Sequence, residues 1–176
     1  MNHTVLNLLH KCHTLKNLKT LHSRLVIEGS VKSSDIVLNK ILRIYFCFGE
    51  SDCAHKLFDQ VPEPNAFLWT SMIHGYVENQ KYIESFCMFK CMLGLSVLPL
   101  NFTVMSVVKA LARSGRLRDG EAVYGFVWKC GFVFDVMVQN AMIDLFMRCG
   151  EVGLARLVFD EMYERDVVTW NSMIGI

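Results

Sequence analysis

The fold is decided by residues 136–166, which read VMVQNAMIDLFMRCGEVGLARLVFDEMYERD. Apolar residues recur at helical spacing in both halves of this stretch, and Cys149-Gly150 separates the two halves. The first set is Val138, Ala141, Met142, Leu145 and Phe146, and the second is Val152, Ala155, Val158, Phe159 and Met162. Each set forms a stripe along one face of an amphipathic helix, and Gly150 suits the left-handed position just past a helix end. The stretch therefore predicts a helix–turn–helix hairpin.

Much of this hairpin occurs twice in the chain. Ten residues between Asn39 and Ile73 recur in the same order 101 residues later. They are Asn39, Gly49, Glu50, Ala54, Phe58, Asp59, Trp69, Ser71, Met72 and Ile73, repeated as Asn140, Gly150, Glu151, Ala155, Phe159, Asp160, Trp170, Ser172, Met173 and Ile174. Identities at one constant offset, without gaps, indicate an internal repeat.

The period of 101 residues divides into units of 31, 35 and 35 residues, each long enough for one hairpin. We predict complete units at 35–65, 66–100, 101–135 and 136–166, a partial unit at about 1–34, and the first helix of another unit at 167–176. Because each hairpin has two apolar sides, it must stack on its neighbours to bury them. The predicted fold is an all-α, right-handed solenoid in a single array.

Composition excludes several other classes of protein. Hydrophobic residues make up 52% of the chain, which rules out disorder. The net charge is +1, so the excess of basic residues that usually accompanies nucleic-acid binding is missing. The seven cysteines contain no CxxC pair, so we expect reduced thiols, mostly small core residues, and no metal site. Gly94, Pro99 and Asn101 interrupt the uncharged stretch 91–108, so we predict no membrane span. We find no paired carboxylates, Ser/His/Asp set, P-loop or zinc signature, and expect neither an enzyme nor a cofactor.

Residues 136–166, followed by VVTWNSMIG at 167–175, resemble the plant pentatricopeptide repeat (PPR) family. The alternation of 31- and 35-residue units resembles its P-L-S subclass. On this resemblance 35–65 and 136–166 are S motifs, 66–100 is a P motif and 101–135 an L motif. The partial unit 1–34 is most of another L motif, and 167–176 is a truncated P motif.

The resemblance implies binding of single-stranded RNA, one nucleotide per motif, in mitochondria or chloroplasts. For the subclass it further implies recognition of C-to-U editing sites, with an editing cofactor or a deaminase acting in trans. The H-x-E and P-C-x-x-C signatures of the deaminase-like domain are absent from this sequence. Lys11, Lys16, Lys19 and Arg24 would suit a transit peptide, but the same residues fit a repeat, so we predict no separate targeting segment.

In the family, the fifth residue of the first helix and the last residue of the motif read the base, and the second residue wedges beside it. The readers carried over are Asn39, Asn65, Thr70, Asp135, Asn140, Asp166 and Asn171, and the wedges are Ile36, Phe67, Phe102, Met137 and Val168. A carboxamide offers the donor and acceptor that uracil needs. The family code reads Asn with Asp as uracil and Asn with Asn as a pyrimidine. Leu100 and Met105 depart from the polar pattern, so the expected footprint is pyrimidine-N-N-uracil, 5′ to 3′.

Each assignment has a purely structural alternative. Asp35, Asn65, Asp135 and Asp166 each precede a predicted helix and could simply cap it. The three asparagines could be solvent-facing helix residues, and Phe67 and Phe102 could be core aromatics. Trp69 and Trp170 are assigned to packing.

Two further expectations concern partners. Trp69, Tyr76, Phe89 and Pro99 loosely echo a tetratricopeptide pattern, so a protein-binding scaffold is the alternative function. The helix from Val167 has apolar residues without a following helix to cover them, which predicts self-association.

Overall fold

The computed structural model describes residues 2–10, 12–27 and 34–174, with the side chains of 2–4 and 10 left out. Residues 28–33 of the partial unit 1–34 and the last two residues of the 167–176 unit lie outside this part. The helices are α1 Asn2–His10, α2 Leu15–Ile27, α3 Asp35–Cys47, α4 Ser51–Phe58, α5 Ala66–Glu78, α6 Tyr82–Gly94, α7 Asn101–Ser114, α8 Leu117–Lys129, α9 Val136–Arg148, α10 Val152–Glu161 and α11 Val167–Ile174, with a short 3-10 helix at Phe132–Phe134.

The hairpins of the 35–65 and 136–166 units turn at a glycine in the left-handed backbone conformation. Gly150 follows α9 with φ of 80°, and its repeat counterpart Gly49 follows α3 with φ of 74°. A side chain at such φ values is strained, so glycine is favoured there. The turn predicted at Gly150 is confirmed.

The hairpins stack so that the first helices form one layer and the second helices another. Neighbouring first helices pack in the order α1, α3, α5, α7, α9, α11. Each of the second helices α2, α4, α6, α8 and α10 packs against the first helix that follows it. Within the described residues every regular element is helical and the core is one continuous cluster. The all-α solenoid predicted from the repeat is therefore confirmed.

The two layers are joined by aromatic contacts that recur between units. The Phe58 ring on α4 meets Trp69 edge-on at 4.8 Å, and the Phe159 ring on α10 meets Trp170 at 4.9 Å. Trp69 is buried, whereas Trp170 is about half exposed although it packs on Phe159. Both tryptophans thus pack across the boundary between one unit and the next.

One pair of first helices approaches unusually closely. Gly75 of α5 is buried against the Phe46 ring of α3, and a Cβ added at Gly75 would lie 2.2 Å from that ring. Only a residue without a side chain allows this separation. The contact fixes how the 66–100 unit sits on the 35–65 unit.

The expectation that most cysteines are core residues is wrong. Cys47, Cys87, Cys91 and Cys130 are exposed, and Cys12, Cys53 and Cys149 are half-buried. Cys47 is the last residue of α3, and Cys130 and Cys149 cap the ends of α8 and α9, where side chains lie beyond the packed face. All seven thiols are free.

No helix in the described ranges combines the length and the apolar character that crossing a membrane requires.

Candidate nucleic-acid interface

The second residue of every first helix from α3 onward is a large apolar side chain that faces solvent. These residues are Ile36, Phe67, Phe102, Met137 and Val168, and their exposed fractions lie between 50% and 66%. Ile36 and Phe67 line one cavity, and Phe67 and Phe102 line the next. The five residues hold the same position on successively packed helices and are here called the apolar row. The alternative that Phe67 and Phe102 are core aromatics is wrong, since both rings are exposed in this row.

Two cavities lie between consecutive members of the apolar row. The first, of about 400 Å³, is lined by Ile36 and Phe67 together with Asn39 and Asn65. The second, of about 660 Å³, is lined by Phe67 and Phe102 together with Thr70 and Asn39. Each space is therefore bounded by two apolar side chains and carries polar groups at its base. That combination can hold a flat, edge-polar ring such as a nucleobase.

The asparagines at the fifth position of the first helices differ in burial and in hydrogen bonding. The Asn39 Oδ1 accepts a hydrogen bond from the Ser71 hydroxyl at 2.8 Å, and the side chain is half-buried. Asn140 is only 8% exposed, and its Nδ2 donates to the Asp166 carboxylate at 3.1 Å. Asn171 is exposed. The solvent-facing alternative therefore fits Asn171 and is wrong for Asn140.

The carboxamide of Asn140 has one unused polar atom. Its Oδ1 is buried and has no hydrogen-bond partner among the described residues. Buried polar atoms in folded proteins nearly always have a partner, and an unmet one costs about 1–3 kcal/mol. The atom is an acceptor at the position from which the family reads a base.

Thr70 is already engaged by its neighbours. It is 7% exposed, its hydroxyl donates to the Ala66 carbonyl at 2.6 Å, and it also contacts the Thr103 hydroxyl at 2.6 Å. A threonine hydroxyl has a single proton to donate. Since the Ala66 carbonyl takes that proton, Thr70 has only acceptor capacity left for a base.

The last residue of three units caps the helix that follows. The Asn65 Oδ1 accepts from the Leu68 backbone N–H, and Asp135 accepts from the N–H groups of Met137 and Val138. Asp166 accepts from the Thr169 N–H at 2.7 Å. The capping expectation is thus met at these three positions. Asp35 is different, because it is the first residue of α3 itself and Ser34 occupies the cap position.

These last residues also bond within their own unit, in one of two ways. Asn65 donates to Asp35, the first residue of its unit, at 2.6 Å, and Asp135 accepts from Asn101, the first residue of the 101–135 unit. The 136–166 unit begins with Val136, which has no polar side chain. In that unit Asp166 instead bonds Asn140, so that both proposed readers are coupled directly.

Asp166 is held in its ionised form by these bonds. Hydrogen bonds from the backbone and hydroxyl of Thr169, and a further one from Asn140, lower the pKa of Asp166 below its ordinary value. A carboxylate that accepts several hydrogen bonds is stabilised as the anion. At neutral pH the group is therefore an acceptor only.

Charge is distributed unevenly along the groove. Lys40 and Arg43 line the first cavity, and no ion pair engages either of them within the described residues. Farther along, Lys109 is paired with Glu78 at 2.9 Å, and Arg148 with Asp144 at 2.8 Å. Lys40 and Arg43 are therefore available to a phosphate group beside α3. Sequence reasoning did not single out Ser71, Lys40 or Arg43 as functional residues. Only their spacing from the fifth residue of a first helix could have indicated them.

The last helix leaves a partly uncovered surface. α11 packs on α9 and α10, and Thr169 is buried beneath it. Val167, Trp170 and Ile174 remain exposed. Self-association through this surface stays a prediction.

These features define a helical-repeat solenoid with exposed apolar side chains and two cavities along its first helices. Comparison with known proteins gives the repeat its name: residues 67–97 and 140–167 match the family model of the PPR repeat. A putative pentatricopeptide repeat-containing protein of Arabidopsis thaliana is 36% identical over 160 residues, 91% of this chain and 23% of that protein. A mitochondrial pentatricopeptide repeat-containing protein of the same plant is 33% identical over 157 residues, 89% of this chain and 28% of that protein. The chain contains pentatricopeptide repeats, and it spans about a quarter of the length of these relatives.

Solved structures agree on the fold. Maize pentatricopeptide repeat protein PPR10 superimposes with a TM-score of 0.73 at 21% identity, over 97% of this chain and 25% of that one. PPR10 in complex with an 18-nt psaJ RNA element gives a TM-score of 0.70 at 20% identity, covering 97% and 26%. The repeat match favours the pentatricopeptide assignment over the tetratricopeptide alternative.

Proposed function

We propose that the chain binds single-stranded RNA along the apolar row, with one base between each pair of consecutive row residues. The observation that carries this proposal is the row of exposed side chains Ile36, Phe67, Phe102, Met137 and Val168, with cavities between the first three. Contiguous exposed apolar side chains on a protein surface often mark a binding site. PPR10, which shares the fold, has been solved with RNA.

Base readout in the 136–166 unit is assigned to Asn140 and Asp166. Asn140 supplies a free acceptor, Oδ1, and Asp166 holds the amide in place through its other end. Asn39 with Asn65 is proposed to select a pyrimidine in the 35–65 unit. The 66–100 and 101–135 units are proposed as weak readers because Thr70 has no donor left and Met105 has no strong one.

The proposal extends to the P-L-S subclass and its motif assignments, and to organellar RNA processing or recognition of C-to-U editing sites. An editing cofactor or a deaminase in trans is then the expected protein partner. Support comes from relatives whose names place them in mitochondria or chloroplasts. No catalytic role is proposed for the chain itself.

The test is fluorescence anisotropy with short single-stranded RNAs of random and uridine-placed sequence. Phe67→Ala and Phe102→Ala should each weaken binding by about 1–3 kcal/mol, the contribution of one stacked base. Ile83→Ala is the matched control, because Ile83 is an exposed apolar residue on the second helix α6, away from the row. A folded chain that binds no single-stranded RNA would end the proposal.

Specificity is tested at one base. Asn140→Thr, with Asp166 kept, should move the preference at the matching nucleotide from U towards G, following the family code. The same substitution at Asn39 should leave that nucleotide's preference unchanged. Identical base preferences in the Asn140→Thr variant and the parent chain would remove Asn140 from the readout.

A further inference from the structure

A buried amide breaks an otherwise apolar pattern in the first helices. The fourth residues of α3, α5 and α7 are Leu38, Trp69 and Val104, all buried at 4% exposure or less. The fourth residue of α9 is Gln139, which is 3% exposed. No group among the described residues hydrogen-bonds its amide, and the amide atoms are not enclosed by protein, because the side chain lines an adjacent cavity. The register therefore places a polar group where the fold requires only an apolar one.

Gln139 lines a cavity of about 240 Å³ between α8, α9 and the segment that follows α10. The walls are the aromatic side chains Trp128, Phe134 and Tyr163, of which Phe134 and Tyr163 are more than four-fifths exposed. The volume is below the roughly 300–1,000 Å³ typical of drug-sized ligands. It suits a single side chain of a partner.

Two carboxylates, Glu161 and Glu164, also line this cavity. The Tyr124 hydroxyl donates to Glu161 at 2.7 Å, which fixes that carboxylate in place. The neighbouring cation Arg165 donates instead to the backbone carbonyls of Phe159 and Asp160. In the described part of the chain neither Glu161 nor Glu164 is in an ion pair, so the cavity carries uncompensated negative charge.

Aromatic walls, two carboxylates and a buried amide together match one kind of side chain. A guanidinium is planar and positively charged, stacks on aromatic faces and donates hydrogen bonds in a fixed fork. Carboxylates accept such a fork with charge-assisted hydrogen bonds, and the Gln139 carbonyl oxygen is a further acceptor. An alkylammonium has the charge but neither the plane nor the fork.

We propose that this cavity binds an arginine side chain presented by a peptide segment of a partner protein. The fourth residue of a helix lies about 200° around the helix axis from the second. Gln139 therefore faces away from Met137 and the apolar row, and the peptide and a ligand on the row bind to opposite sides of α9. This inference does not depend on RNA binding.

The test is isothermal titration of the full chain with a short Gly/Ser peptide containing one central arginine. Saturable binding is expected, with no binding of the same peptide in which citrulline, the uncharged isostere, replaces arginine. Glu164→Gln and Gln139→Leu should each lower the affinity for the arginine peptide by about tenfold or more. Leucine at 139 restores the residue type that Leu38 has at the same register position, so the helix content should be unchanged by circular dichroism.

Glu63→Gln is the matched control, because Glu63 occupies the place of Glu164 one repeat period earlier and should not affect binding. Three results would overturn the proposal. They are no saturable binding of the arginine peptide, equal binding of the citrulline peptide, and full binding by both the Glu164→Gln and Gln139→Leu chains. A lysine peptide that binds as tightly as the arginine peptide would overturn the guanidinium assignment.

Discussion

The 35–65 and 136–166 units share residues at a constant offset, yet their proposed base-reading side chains have different hydrogen-bond partners. Asn39 is half-buried and accepts a hydrogen bond from Ser71 of α5. The last residue of its unit, Asn65, bonds Asp35. Asn140 is buried and bonds Asp166 directly. The cause is the first residue of the unit: a polar Asp35 captures the last residue in one case, and Val136 cannot in the other.

The comparison teaches that a repeat position does not carry a fixed environment. Equivalent residues begin with the same backbone placement, but their bonds depend on other positions, here the first and last residues of the unit, at which the two units differ. The two units should therefore respond differently to the same substitution.

Gly75→Ala should produce the largest loss of stability, because it breaks the close stacking of the 35–65 unit on α5. The new Cβ would lie 2.2 Å from the Phe46 ring, which must move within a packed core. Overpacking of this kind costs about 1–3 kcal/mol. Gly125→Ala is the control, since a Cβ on this exposed residue of α8 meets nothing within 4 Å, and it should gain about 0.5–1 kcal/mol. Urea denaturation measures both, and equal effects would contradict the close-contact explanation.

Asn140→Thr should destabilise the chain by about 1 kcal/mol, because it removes a partly buried hydrogen bond to Asp166. From the sequence alone, a solvent-facing Asn→Thr change in a helix would cost only tenths of a kcal/mol. Asn39→Thr, at the half-buried equivalent position, should stay within about 0.5 kcal/mol. Thermal and urea denaturation of the two variants would show whether the units differ as the structure indicates. Equal losses would mean that the burial of Asn140 has no energetic consequence.

Acid should weaken the cap of α11 but not that of α5. The pKa of Asp166 is lowered in the folded chain by Thr169 and Asn140. A lowered carboxyl pKa contributes stability above its unfolded value, and that contribution is lost as pH falls through the folded value. Asn65, which caps α5, does not titrate. Melting temperatures measured between pH 5 and pH 3 (a window about the ordinary aspartate pKa) should therefore fall less steeply for Asp166→Asn than for the parent chain. Parallel curves would remove Asp166 as the source of the acid sensitivity.

Self-association through α11 should be the weakest effect, visible at micromolar concentration by sedimentation. Val167 and Ile174 are 74% and 72% exposed, and placing charge on them should reduce association without exposing the α9 core. Deleting α11 is a poorer test because this helix covers α9. Concentration-independent sedimentation of the parent chain as a monomer would refute the prediction.

Much of the fold was predictable because its signals are local. The apolar stripes, the glycine after α9 and the offset of 101 residues predicted helices, turns and stacking, and these are confirmed. The sequence did not decide whether Phe67 and Phe102 are exposed, because an aromatic residue on a helix is as compatible with the core as with solvent. The burial of Thr70 and its bond to Thr103 could not be predicted, since they depend on where α7 lies beside α5.

By itself the sequence determined the repeat, the helical hairpins and the identity of the residues at each repeat position. Helical periodicity and turn chemistry act between residues close in the chain, so they can be recognised without the fold. The tertiary structure decided which equivalent residues are free and which are engaged: Asn39 beside Ser71, Asn140 against Asp166, and Gln139 in an acidic aromatic cavity. Those differences arise because a side chain's hydrogen bonds depend on residues that the fold brings beside it from other parts of the chain. Ser71 recurs as Ser172, but the first and last residues of the two units differ: Asp35 and Asn65 in one, Val136 and Asp166 in the other.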